Sequence, residues 1–135
     1  MKGMTVLLAW IAVGATAAGA APASIDAMRW HRRILVVASP AADDPRAQAQ
    51  RRIVAGWTGA DDRDVSLVEV SGARVTGAGD TASSLVKRYR LRPGRFQVLL
   101  IGKDGTVALR SGRPVSAQRL QGTIDAMPMR RDGGR

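Results

Sequence analysis

Four groups of residues carry functional groups at spacings that could do chemistry. The first is Asp43-Asp44-Pro45-Arg46, a few residues beyond the apolar run Ile34 to Val37. Paired carboxylates can exchange protons with a substrate. They also cap helices, because their oxygens accept the free N–H groups of a first turn. No neighbour in sequence supplies a catalytic partner. Capping is therefore the expectation, and acid–base work by Asp43 or Asp44 is the alternative. The second group is "KRYRLRPGR", with Lys87, Arg88, Arg90, Arg92 and Arg95 within nine residues. Cations this dense can hold an anionic partner. Lys87, Arg88 and Arg90 cannot share one helix face. Arg92 and Arg95 fall in the loop that follows. The expectation is a partial basic patch, joined by Arg32 and Arg33, set against an ordinary solvated surface.

The other candidates are weaker. Asp61, Asp62 and Asp64 lie close together but lack the glycine and the distal glutamate of a calcium loop. They read as a solvated loop, and no metal site is expected. His31 is the only histidine, so no triad can be assembled around it and it reads as a surface or structural residue. "GAGDT" has glycines but no phosphate-loop lysine and reads as a turn. No catalytic residue and no cofactor are assigned.

Composition removes whole classes of chemistry. The chain has 135 residues and no cysteine. Thiol nucleophiles, disulfides and thiolate-bound metals are excluded. The formal charge is +10. The first twenty residues differ from the rest: Lys2, the apolar run "MTVLLAWIAVG", then small residues at Ala18 and Ala20. This is the pattern of a secretory signal cut after Ala20. The apolar run is short for a membrane span, so no transmembrane anchor is expected. The expected organisation is a signal over 1–20, a linker over 21–27, one domain over 28–128 and a disordered basic tail over 129–135. The expected location is periplasmic or secreted. That disfavours nucleic acid and favours an envelope protein, an anionic lipid or an acidic glycan as partner.

Seven elements must position these residues. "RRILVVASP" reads as a strand covered on both faces. Pro45 opens a helix in which Ala49, Ile53, Val54 and Trp57 make an apolar stripe. Val65 to Gly72 reads as a second strand, and "ARVTGAGDT" as a glycine-rich loop. Asp80 or Thr81 caps a second helix with Ala82, Leu85, Val86 and Tyr89 inward, and Pro93-Gly94 ends it. "VLLIGKDGTVALRSGRP" is a hairpin: Val98 to Ile101 buried, a turn at Lys103-Asp104-Gly105, then Val107 and Leu109 along an edge strand. Ser116 caps a last helix with Ala117, Leu120, Ile124 and Met127 inward, and Pro128 stops it. The order β-α-β-α-β-β-α specifies an α/β, thioredoxin-like mixed sheet. Right-handed crossovers put the middle helix on one face and the other two on the opposite face.

"FQVLLIGKDGTVALRS" followed by "IDAMPMRR", with "WHRRILVVASP" and "DDPRAQAQ" upstream, resembles a small secreted bacterial family of unknown function. It is also similar to a thioredoxin-like domain, nearer the peroxiredoxin branch, of vertebrate extracellular proteins with sushi repeats. The resemblance covers residues 28 to 131 and implies a fold and an exported location, with no activity attached. In a thioredoxin enzyme the nucleophilic cysteine opens the first helix, where the positive helix end lowers its pKa. Asp43, Asp44, Pro45 and Arg46 stand there instead. Gln97 stands near the place of that fold's cis-proline, and Pro93 comes about four residues too early. With both signatures of disulfide exchange missing, the expectation is a non-enzymatic extracytoplasmic binding domain. The alternative is a divergent peroxiredoxin-like oxidoreductase that works without a thiol.

Overall fold

The computed structural model describes residues 21–131, so the expected signal lies outside them. Strand β1 (Arg33–Ser39) is buried along its whole length. It is the central strand of a five-stranded sheet. Alternate side chains serve opposite faces, as the pleat requires. Ile34, Val36 and Ala38 pack on one side, Leu35 and Val37 on the other.

Helix α1 (Pro45–Ala55) starts on a proline, whose missing N–H costs nothing in a first turn. β2 (Val65–Ser71) runs parallel to β1, with Val36 level with Val68. β3 (Arg74–Thr76) folds back on β2 through Gly72, whose φ of +59° suits glycine. α2 (Ala82–Tyr89) is capped by Thr81, whose side chain accepts the Ser84 N–H. β4 (Gln97–Ile101) returns antiparallel to β1, and β5 (Val107–Ser111) antiparallel to β4. α3 (Ala117–Asp125) is capped by Ser116, and α4 (Pro128–Arg131) is a single turn. The sheet order is β3-β2-β1-β4-β5, an open mixed sheet of thioredoxin-like topology. Leu85 and Tyr89 of α2 join the core on one face. Ala47 of α1 and Leu120 and Ile124 of α3 join it on the other, as the crossover rule predicts.

Several expectations need correction. Residues 74–76 form a strand, because backbone pairing with β2 outweighs their glycine-rich surroundings. The buried residues of α1 are Ala47 and Gln50. Ala49 and Ile53 are half-exposed, and Trp57 is buried beyond the helix end. Gln50 faces inward because its amide clasps the Val115 backbone, accepting the Val115 N–H at 2.7 Å and donating to the Val115 carbonyl at 3.0 Å. A buried polar side chain is tolerable when both its ends are satisfied. Residues 21–27 dock on the domain. Ile25 enters the core and its N–H donates to Asp80 at 2.8 Å. Pro128 opens α4, so the expected tail begins in a helix. Among the described residues no helix is long and apolar enough to cross a membrane.

Candidate functional site

The ladder determines which loops meet. β1 and β2 end at Ser39 and Ser71, while β4, running the other way, begins at Gln97 opposite Ala38. β5 ends at Ser111, opposite Val98. The start of α1, the approach to β4 and the exit from β5 therefore gather at the carboxyl ends of the parallel strands. Open α/β sheets bind ligands at this end.

A cavity of about 720 Å³ opens there, within the range of small-ligand sites. Five arginines line it: Arg46, Arg90, Arg92, Arg95 and Arg110. Arg46 lies in the first turn of α1, where a cation opposes the positive helix end. Two contacts offset this. Its guanidinium pairs with Asp44 at 3.0 Å, and it stands 5.4 Å above the Phe96 ring. The Arg46 hydrogen bond holds the Asp44 carboxyl below the usual range, and the same bond raises Arg46. Arg90 caps α2 in the left-handed conformation, and Gly94, at φ +75°, turns the chain toward β4. Arg110 donates to the Tyr89 carbonyl at 2.7 Å and so satisfies a free acceptor of the last turn of α2.

Gln97 fastens the loop that carries Arg92 and Arg95. Its Oε1 accepts the Arg92 N–H at 3.1 Å, and its Nε2 donates to the Arg92 carbonyl at 2.9 Å and to the Arg95 carbonyl at 3.4 Å. Among the described residues no carboxylate pairs with Arg90, Arg92, Arg95 or Arg110. The wall therefore carries uncompensated positive charge. It can accept phosphate, sulfate or carboxylate oxygens through the planar fork of arginine.

The two candidate groups of the sequence thus partly merge. Arg46, from the first, and Arg90, Arg92 and Arg95, from the second, share the cavity with Gln97, the residue near the cis-proline position. Asp43 is exposed, Asp44 caps α1 by accepting the Arg46 N–H at 2.9 Å, and Pro45 is the first helical residue. Arg88 leaves the cluster for Asp26, 2.6 Å away, and Lys87 is exposed on α2 outside the cavity lining. Arg32 pairs with Asp64 at 3.8 Å, and Arg33 is buried at the opposite end of β1. Asp62 and Asp64 form ion pairs, and no metal-binding cluster occurs among the described residues. Sequence reasoning missed Arg110. Its signal was the hairpin register, which sets it opposite Leu99, next to the first residues of β4.

No peptide bond among the described residues is cis, including the one before Pro93. The family described as a domain of unknown function, DUF4174, matches residues 24–133. The comparison with curated proteins returns no match.

Proposed function

We propose that this chain, which belongs to the DUF4174 family, is a binding domain that holds a phosphate- or sulfate-bearing partner in the arginine-lined cavity. One observation carries the reading: five guanidiniums line one cavity, and four have no carboxylate partner among the described residues. Like charges gathered this closely repel, yet Gln97 and the Arg110–Tyr89 bond hold their backbone in place. Local rules broken in this way concentrate at functional sites. Each charge-assisted hydrogen bond contributes roughly 1.5–3 kcal/mol. Three of them near the top of that range, less about 4 kcal/mol for association, give a dissociation constant of about 0.2–1 mM for a small dianion.

The reading is non-enzymatic. The chain has no thiol, and the Asp44 carboxylate at the helix start is committed to Arg46. The domain is a relative of the peroxiredoxin branch and of the sushi-repeat proteins' domain, with arginines where that scaffold places sulfur chemistry. It is exported, and its partner belongs to the envelope: an anionic lipid headgroup, an acidic glycan or an acidic protein surface. Nucleic acid is not the partner in that compartment.

Thermal unfolding tests this reading. Pyrophosphate at ten times its dissociation constant adds about 1.4 kcal/mol of stability. For a domain of this size that is a rise of about 6 °C in Tm. Chloride at equal ionic strength gives no such rise. Equal effects of the two salts would overturn the proposal.

A further inference from the structure

A second cavity, of about 550 Å³, lies at the opposite end of the sheet, where β1 begins and β4 ends. Its wall differs from the arginine site. Trp30, Ala108, Ala126, Met127 and Pro128 give it apolar surface, Arg33 and Lys103 bring cations, and the Asp104 carboxylate is taken up by the Thr106 N–H and hydroxyl.

Two of these residues break local rules. Trp30 is 59% exposed and has φ +71°, a left-handed conformation that is unfavourable for a bulky side chain. Its N–H donates to the Lys103 carbonyl at 2.6 Å, which fixes the strained backbone. Arg33 is only 1% exposed. One terminal nitrogen donates to the Arg63 carbonyl at 2.7 Å, but its Nε has no hydrogen-bond partner. Buried donors are rarely left unpaired. The carboxylates around it are engaged elsewhere, Asp64 with Lys103 at 2.8 Å and Asp125 with Arg63 at 3.0 Å. Among the described residues Arg33 has no ion pair, and burial lowers its pKa.

We propose that this cavity binds a flat aromatic carboxylate, its ring against Trp30 and its carboxylate on the Arg33 guanidinium. Trp30 supplies a rigid aromatic face at low entropic cost. The carboxylate supplies the acceptor that Arg33 lacks, as a charge-assisted bond. The apolar wall suits the ring better than a phosphate, which distinguishes this cavity from the arginine site.

The probe is 2-naphthoate, followed by amide and indole chemical shifts of the labelled protein, with 2-naphthalenemethanol as the uncharged comparison. Saturable shifts at the Trp30 indole, Thr106 and Ala126 are expected, with the alcohol at least tenfold weaker. Trp30→Gly removes the ring and accepts the left-handed backbone. It should weaken naphthoate binding at least tenfold and leave pyrophosphate binding unchanged. The proposal is overturned if naphthoate shifts map to Arg92 and Arg95 instead, if the alcohol binds equally well, or if Trp30→Gly binds naphthoate as wild type does.

Discussion

Gln97→Met separates the scaffold's hold on the arginine loop from the arginines themselves. Methionine matches glutamine in length and volume but offers no comparable donor or acceptor. The substitution removes the bonds at 3.1 and 2.9 Å to Arg92 and the weaker one at 3.4 Å to Arg95. Residue 97 is buried, whereas Arg92 and Arg95 are exposed. Their freed backbone groups regain water in part, so the low end of the hydrogen-bond scale applies. Two full bonds at about 1 kcal/mol each give a loss of about 2 kcal/mol. With an unfolding entropy of roughly 2.1 cal/mol/K per residue, Tm should fall by about 9 °C. Freed residues 92–95 must be ordered again on binding, and about 1.4 kcal/mol of ordering cost weakens pyrophosphate about tenfold. Calorimetric unfolding and isothermal titration read the two effects separately. A variant with Tm within 2 °C of wild type and unchanged affinity would refute the idea that Gln97 organises the site.

Three further outcomes follow from the same contacts. Tyr89→Phe removes a buried hydroxyl that has no hydrogen-bond partner, so stability should rise by about 1 kcal/mol, or about 4 °C in Tm; a fall of that size would contradict it. Gln50→Ala leaves the Val115 N–H and carbonyl unpaired in the core, costing about 3–5 kcal/mol in denaturant titration; a loss under 1 kcal/mol would contradict it. Side-chain bonds from Arg88, Arg46 and Arg63 lower the Asp26, Asp44 and Asp125 carboxyls, and the Thr106 backbone N–H lowers Asp104. Their folded values lie below the unfolded ones, so the unfolded chain binds more protons as pH falls. The stability they provide is present above about pH 4 and is lost below it; a Tm that rises on acidification below pH 4 would contradict this.

Much of the fold was legible because its elements carry strong patterns. The continuous apolar run of β1 announced a strand covered on both faces, and Lys103-Asp104-Gly105 announced the hairpin. Ser116 caps α3 as expected, and of the pairs Asp43 or Asp44 and Asp80 or Thr81 the structure uses Asp44 and Thr81. What escaped depended on partners distant in sequence. Gln50 looks like a surface residue until Val115 is brought beside it, which tilts the buried stripe of α1 away from Ala49 and Ile53. Ile25 looks like linker until Asp80 captures its N–H.

The site divides in the same way. Arg90, Arg92 and Arg95 were visible as a cluster because they are close in sequence. Arg88 was indistinguishable from them, since only folding brings Asp26 to it. Arg110 became a cavity residue through the sheet register, and Arg46 because α1 starts at the same end of the sheet. Gln97 marked a missing proline in the sequence, and the structure shows it as the clamp of the loop.

Isothermal titration of pyrophosphate into wild type and the double variant Arg92→Gln, Arg95→Gln tests the central claim most directly. The account predicts one site per chain, an affinity that falls as salt rises, and a loss of at least tenfold in the double variant, with Tm preserved or raised as repulsion is relieved. Equal binding by the two proteins, or no saturable heat with wild type at millimolar pyrophosphate, would contradict it.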